Sequence, residues 1–483
     1  MLEALKNFFD VFGAATVVPF MIFIVSVFLK VSPQKAFFSA LRAGVGLTGF
    51  GWIINAFSPM VTTYIQQMVD TTGLNLPIVD IGWQTGSLTA FSSTIGLSFF
   101  VIGLVIELIL FLIGVTRVFT PANLWNNFGY MIWGTLAYQV TNNFALSFAF
   151  MVFVLLYSLI LSEVVADRWS EYFGVKNATV NSIHNIETLV PALILDPVWN
   201  LFGLNKVKLN PDSLKAKLGI FGEPMTLGFI LGLLIGILGS LSNLGSIEAW
   251  GGILGFAVAL AAVMTIFPLI TGVFAQAFAP LAAAVESNRK SESEAESDVA
   301  DKKRWFIAVD DGVGYGEPAT IIAGLILVPI MVVISLILPG NRALPVVDLI
   351  AIPFMVEAMV AITKGNILKT ILNGVIWFSL GLYAASYLGP IYTEAVMQYG
   401  SVLPAGVAII MSFNLLAHPL TALIFIAWVS GNPLWIGVTI VVYLVALFIL
   451  RTRREAIYAY LRKMSDKNSG FEGSAEKIII SED

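Results

Sequence analysis

Apolar stretches long enough to cross a lipid hydrocarbon core follow one another along this chain, with only short polar breaks between them. Such a crossing takes roughly 17–25 predominantly apolar residues when the segment is helical, and the pattern predicts about eleven of them. They fall near Phe12–Leu29, Ala40–Thr62, Ile95–Val115, Phe128–Thr141, Phe144–Ser162, Pro224–Leu241, Gly252–Gln276, Ala319–Leu338, Val346–Thr363, Ile367–Leu388 and Leu434–Leu450. Hydrophobic residues make up 58% of the 483 and charged residues 12%, too little polar surface for a water-soluble globule of this size. The expected fold is an all-α polytopic membrane protein, with residues 1–450 embedded and residues 451–483 forming a tail. No small-residue cleavage site follows Met1-Leu-Glu-Ala-Leu-Lys, so the first apolar run is expected to stay as a span.

Four further apolar stretches are too short or too broken to cross: Asp80–Thr94, Ala178–Trp199, Val309–Pro318 and Ser401–Trp428. They read as re-entrant hairpins, though two of them also suit extra spans or surface helices. Near such edges one phrase occurs twice, as Phe221-Gly222-Glu223-Pro224-Met225-Thr226 and as Tyr315-Gly316-Glu317-Pro318-Ala319-Thr320. A Glu beside Gly and Pro is not an ordinary helix-surface charge, because Pro starts or breaks helices and Gly frees the backbone. In a bilayer such a break is tolerated only where it is buried in protein or lines a watery cavity.

Lys and Arg between the spans set the orientation. Lys30, Lys35, Arg42, Arg117, Lys206, Lys208, Lys215, Lys217, Lys302–Arg304, Lys364, Lys369, Arg451, Arg453 and Arg454 all thread to one side, with Arg342 the exception. That side is expected to be the cytoplasm, which puts the N-terminus outside and the C-terminus inside. The stretch 286–304 has no aromatic residue, alternates Ser, Glu, Lys and Arg, and reads as a charged cytoplasmic loop. The tail beyond Arg451 opens as a basic amphipathic helix carrying Tyr458, Tyr460 and Leu461, and is expected to be disordered from Ser465 onward.

A weak internal repeat runs through the chain, approximately residues 8–162 and 221–390. Phe12-Gly13-Ala14-Ala15-Thr16 echoes the Phe221 phrase, Ser58-Pro59-Met60 echoes Ala279-Pro280-Leu281, and Val79-Asp80-Ile81-Gly82 echoes Val309-Asp310-Asp311-Gly312. Arg117 with Asn143 echoes Arg342 with Asn366 at nearly equal spacing. With five spans in each half, the second lies upside down relative to the first, the inverted-repeat plan that places substrate at the repeat interface.

Ionisable groups within the membrane are costly, and paired carboxylates with amide partners supply the directional acceptors that a polyol needs. Asp80, His184, Glu223, Asp310 and Glu317 are the candidate substrate contacts, with Gln139 at the outer end of a span as a lining residue. Helix capping or contact with loop water is the structural alternative for each carboxylate. A satisfied structural histidine is the alternative for His184, and His418 fits a structural or gate residue better than a ligand. Glu107 and Glu357 sit mid-span, where pairing with another polar group competes with an ion-coupling role. Gly228, Gly232 and Gly236 recur at the four-residue spacing of close helix packing.

The absence of cysteine removes disulfides, thiolate catalysis and thiolate metal sites, and two histidines do not suit a dedicated metal centre. No cofactor is expected. A net charge of −5 without a basic domain argues against nucleic acid. Gly44-Val45-Gly46-Leu47-Thr48-Gly49 matches a dinucleotide fingerprint only formally, since it lies in an apolar span, and no nucleotide-hydrolysis motif is present.

Several longer phrases together resemble the membrane-embedded IIC component of the bacterial phosphoenolpyruvate-dependent sugar phosphotransferase system, in its galactitol family. They are Gly203-Leu204-Asn205-Lys206-Val207-Lys208, Leu218–Phe229, Leu338-Pro339-Gly340-Asn341-Arg342-Ala343-Leu344-Pro345 with Asp348-Leu349, Lys364-Gly365-Asn366, and Leu74-Asn75-Leu76 with Val79-Asp80-Ile81-Gly82-Trp83. The resemblance implies an inverted-repeat permease fold related to the ascorbate permeases, in a homodimer in the bacterial plasma membrane. It further implies that a polyol or sugar is handed to a phosphorylated cysteine of a separate IIB protein served by IIA. Phosphoryl chemistry would then reside on those chains, in keeping with the missing cysteine. The chain departs from the family at Gly316-Glu317, where Gly-His is expected, and at Ile183-His184-Asn185, where Pro-His-Gly is expected. The competing expectation is an ion-coupled secondary transporter of a small polar solute using Glu107 or Glu357.

Overall fold

The computed structural model describes residues 11–12, 14–72, 76–207, 209–211, 213, 223–293, 304–399 and 408–468. Phe221 and Gly222, the segment 294–303 and the tail after Asn468, all singled out in the sequence, lie outside these residues. In chain order the helices are α1 Ala14–Phe28, α2 Pro33–Thr72, α3 Trp83–Ser92, α4 Thr94–Leu112, α5 Phe128–Thr141, α6 Phe144–Tyr172, α7 Ile183–Ile186, α8 Leu189–Leu201 and α9 Pro224–Gly239. Then follow α10 Ile247–Ser293, α11 Gly312–Tyr315, α12 Pro318–Ile337, α13 Ile352–Thr363, α14 Ile367–Gln398, α15 Phe413–Leu416, α16 Pro419–Val429 and α17 Pro433–Asp466. Among the described residues, seven of them are long and apolar enough to cross a membrane, with three shorter apolar helical stretches, Val18–Phe28, Gly228–Gly239 and Pro419–Val429. The chain is a mostly helical, multi-pass membrane protein.

All but one of the predicted spans fall on a single helix, and in α2, α6, α10, α14 and α17 the helix runs well past the expected span. The stretch Val346–Thr363 instead divides into a 3-10 turn at Asp348–Ala351 and the short helix α13. Helix α10 runs on to Ser293, so the charged stretch expected to be loop from residue 286 begins as helix. Likewise α17 continues through Ser465 to Asp466, bending at Arg453, where the tail was expected to lose order.

Capping residues explain where the helices start. Asn143 Oδ1 accepts Leu146 N–H at 3.0 Å to open α6, and Asn366 Oδ1 accepts Lys369 N–H at 3.1 Å to open α14. The preceding helices α5 and α13 end on Asn142 and Lys364, both in the left-handed region at φ 49° and 53°. These two junctions are the Asn143 and Asn366 echo seen in the sequence.

Each of the four broken stretches leaves peptide groups that no helix ladder satisfies. Two parallel three-stranded sheets satisfy them, made from β1 Ile78–Asp80, β2 Val118–Phe119, β3 Ala178–Thr179, β4 Phe306–Ala308, β5 Ala343–Leu344 and β6 Ile409–Met411. One sheet has the order β5-β1-β6 and the other β2-β4-β3. Ile78 pairs with Ala343 and Ile409, while Ile307 pairs with Phe119 and Ala178. The central strand of each sheet thus comes from one half of the chain and both flanking strands from the other. Strands of two or three residues carry no readable period-2 pattern, which is why an all-helical reading omits them.

Helices α1, α2, α9 and α10 pack among themselves, and the remaining elements gather around α5, α6, α13 and α14. Close approach of α9 to α10 depends on the spaced glycines: a Cβ on Gly232 would lie 2.5 Å from Ala257 Cα.

The first sheet is tied by Asp80. Its buried carboxylate accepts backbone N–H groups from Gly82 at 3.0 Å, Val346 at 3.1 Å, Asp348 at 2.7 Å and Phe413 at 3.3 Å. Asparagine offers one acceptor oxygen in place of two, so Asp80→Asn orphans about two of these donors and costs roughly 2–6 kcal/mol at 1–3 kcal/mol each. A marked drop in the thermal midpoint of the detergent-solubilised protein is expected, and an unchanged midpoint would disprove the clamp.

Candidate functional site

The strand β4 leads directly into Val309, Asp310 and Asp311, and from there the architecture departs from its counterpart. At the β1 end, backbone amides fill the carboxylates: besides the four donors to Asp80, Asp348 takes Trp83 N–H at 2.8 Å, Asn414 N–H at 3.0 Å and the Ser412 hydroxyl at 2.5 Å. At the β4 end, side chains meet the carboxylates instead. Only Gly312 N–H, at 2.9 Å from Asp310 Oδ1, repeats the Gly82–Asp80 contact.

Asp311 Oδ2 accepts the Ser182 hydroxyl at 3.1 Å and pairs with His184 Nε2. Asn126 Nδ2 reaches both carboxylates, at 3.4 Å from Asp310 and 3.3 Å from Asp311, and also donates to Asn123 Oδ1 at 3.0 Å. Asn123 in turn donates to Asn181 Oδ1 at 2.8 Å and to Val309 C=O at 3.1 Å. The 3-10 turn Thr120–Asn127 therefore positions two amides over the strand end, while the segment leading into α7 brings Ser182 and His184 from the other side.

Glu357 closes the cluster from α13. It is fully buried beside Asn185 and within electrostatic reach of Asp311 and Asp310, and its Oε2 accepts Trp169 Nε1–H at 3.3 Å. Neither its Oε1 nor Asn185 Nδ2 forms a hydrogen bond of good geometry, although the two side chains interact and Asn185 Oδ1 accepts Ala358 N–H at 3.2 Å. Two poorly satisfied polar groups in one buried cluster are a cost that a bound polar ligand would relieve.

Carboxylate acceptors on Asp310 and Asp311 thus stand beside the donors of Asn126, Ser182 and Gly312.

A second buried set joins the two broken segments. Glu187, just after α7, accepts Thr421 N–H at 2.6 Å at the start of α16, and its Oε2 lies 3.1 Å from His418 Nδ1. His418 Nε2 meets Asn414 C=O at 2.7 Å, and Tyr157 OH reaches Thr421 Oγ1.

Of the residues singled out in the sequence, His184, Asp310 and Glu357 come together. Asp80 belongs to the other sheet. Glu317 caps α12 through Thr320 N–H at 2.7 Å and accepts Tyr172 OH at 2.8 Å. Glu223 stands half-buried at the start of α9, and Gln139, half-buried in the last turn of α5, makes none of the cluster's hydrogen bonds. Glu107 is buried in α4 beside Thr120 and Asn127; neither its carboxylate oxygens nor the Asn127 amide atoms form a hydrogen bond of good geometry. Asp311, Asn126, Ser182, Asn185, Trp169 and Glu187 were not proposed from sequence. The Asp310-Asp311 doublet was the available signal.

The family model EIIC-GAT, described as PTS system sugar-specific permease component, matches residues 7–406. The chain belongs to that family. Among curated relatives, the PTS system galactitol-specific EIIC component of Escherichia coli (strain K12) is 27% identical over 451 residues, covering 92% of this chain and 95% of the relative. A putative permease IIC component of the same organism is 23% identical over 389 residues, 80% of this chain and 86% of the relative. The permease is thus a multi-pass component of a sugar phosphotransferase system.

Within the permease, Gly314 of α11 packs directly on the Glu357 carboxylate: a Cβ there would lie 2.4 Å from Glu357 Cδ. Gly314→Ala must therefore push the carboxylate off Trp169, at a cost of about 1–3 kcal/mol. A lowered thermal midpoint with a changed Trp169 fluorescence environment, read against a Trp169→Phe control, is expected; unaltered emission would refute the contact.

Proposed function

We propose that this permease carries galactitol or a closely related polyol across the plasma membrane by group translocation, presenting it on the cytoplasmic side to a phosphorylated IIB protein. The observation that carries this reading is the buried carboxylate–imidazole–amide cluster of Asp310, Asp311, His184, Asn126, Asn185 and Glu357, with Glu357 and Asn185 only poorly satisfied by each other. Vicinal hydroxyls need alternating donors and acceptors, and this cluster offers both. The galactitol name of the 27% identical relative narrows the substrate class. Phosphorylation on a separate chain then traps the product as an anion.

The same reading includes two halves of inverted orientation, re-entrant segments at the four broken stretches, an outside N-terminus and a homodimer. Its support is the recurring order of helix pair, strand, short helix, span, strand, turn and span, together with the exchange of central strands between the sheets. The ion-coupled alternative rests on one observation, the buried Glu107 carboxylate lacking well-formed hydrogen bonds.

Uptake of labelled galactitol and related polyols, in cells with and without the general phosphotransferase proteins, separates the readings. Label recovered as a phosphate ester only when those proteins are present is expected, whereas free label accumulating regardless would transfer the argument to Glu107. In the purified permease, Asp311→Asn or Glu357→Gln should weaken polyol binding about 10–150-fold, equivalent to 1.5–3 kcal/mol for a hydrogen bond to a charged group. Wild-type affinity in both would remove the cluster from consideration.

A further inference from the structure

Beyond the last span, α17 bends at Arg453 and returns against the body of the protein as an amphipathic helix. Tyr458, Leu461, Met464, Ser465 and Asn468 are buried on its inner side. Ion pairs fix it there: Arg454 Nε lies 2.5 Å from Glu163, and Arg462 grips Asp167 through two hydrogen bonds of 2.6 and 2.7 Å. Lys364 pairs with Asp466 at 3.1 Å, and Lys369 Nζ donates to Asn468 Oδ1 at 2.5 Å while also holding Asp196 of α8. Arg304, two residues before β4, shares Asp167 with Arg462 at 2.5 Å, and Tyr458 packs edge-on against Phe306 of β4. The helix is therefore in contact with β4, the strand that leads to Asp310 and Asp311, and Asn468 just beyond it shares Lys369 with Asp196 of α8, which follows His184.

The outer side is chemically different. Arg453, Tyr460, Lys463 and Lys467 are all exposed, Tyr460 to 56%, and no ion pair engages the three cations among the described residues. Lys463 follows Tyr460 by three residues and Lys467 follows it by seven, so the three share a stripe on the helix, with Arg453 at its bend. We propose that this basic, aromatic stripe is the docking surface for the phosphorylated carrier subunit. The proposal rests on the group-translocation reading and the inward C-terminus given above. A phosphoryl group brings close to two negative charges at neutral pH, and unneutralised cations on a helix already pinned in place receive such a partner without an ordering cost. Exposed charges of this kind act chiefly on encounter rate and salt dependence.

The test uses inside-out vesicles containing the full-length permease, the cognate phosphorylated IIB protein and labelled galactitol. The variant Arg453→Glu/Lys463→Glu/Lys467→Glu should raise the KM for phosphorylated IIB by about tenfold or more and flatten its salt dependence, while equilibrium galactitol binding stays at the wild-type value. Lys463→Arg/Lys467→Arg should keep the wild-type KM. An unchanged KM for IIB in the charge-reversed variant would overturn the proposal, as would a defect seen with anionic vesicles and absent from phosphatidylcholine vesicles, which would assign the stripe to lipid headgroups. Because the chain has no cysteine, Lys467→Cys supplies a unique label site. Modification by a membrane-impermeant maleimide from the cytoplasmic face alone is expected; labelling from outside would overturn the proposal by itself. If the wild-type permease yields no phosphate ester with IIB, the functional reading itself fails, a result distinct from a wild-type rate that the substitutions leave untouched.

Discussion

A peptide group in the hydrocarbon core has no water to bond with, so every break in a membrane helix must find its partners inside the protein. In this chain the non-helical stretches Ile78–Asp80, Ala178–Thr179, Phe306–Ala308 and Ile409–Met411 find theirs in the protein, through two small parallel sheets with exchanged central strands. Everything of interest follows from that arrangement. Only where backbone is drawn in and held can carboxylates, amides and an imidazole stand together in an otherwise apolar interior.

The two sheets share a plan and differ in use. At the β1 end the acids are saturated by amides of neighbouring segments, and Asp80 and Asp348 act as fasteners. At the β4 end Asp311 pairs with His184, and Glu357 keeps an oxygen without a hydrogen bond of good geometry. One end is thereby closed by backbone amides and the other by side chains. Gly314 preserves that difference, since its missing side chain is what lets the α11 turn lie on the Glu357 carboxylate.

Much of the fold was legible in the sequence because apolar length is a strong signal in a membrane protein. The caps at Asn143 and Asn366 marked equivalent helix starts, and the Asp80 and Asp310 phrases marked equivalent strand ends. The strands themselves were not visible, because a two-residue pairing leaves no pattern. The site was legible in part. His184, Asp310 and Glu357 stood out as ionisable residues in apolar surroundings, but nothing local shows that Glu357 lies near residues 310 and 311 while Glu317 turns to cap its own helix. Asp311 was overshadowed by its neighbour, and Asn126 belongs to a turn whose sequence looks like any polar loop. Glu187 and His418 find each other only after both broken segments are in place.

The exchanged strands also bear on how such a chain can be made. Asp80 is made early in synthesis, yet one of its four donors is the amide of Phe413, 333 residues downstream. During translation the first half therefore holds an open strand and an acid with only Gly82 of its four donors in place, and the second half arrives needing β2 and β3 of the first half for β4. Neither half is a finished unit that could be inserted, checked and left. Assembly is completed only when the final segments reach the membrane, so quality control of this protein must read the whole chain rather than its parts.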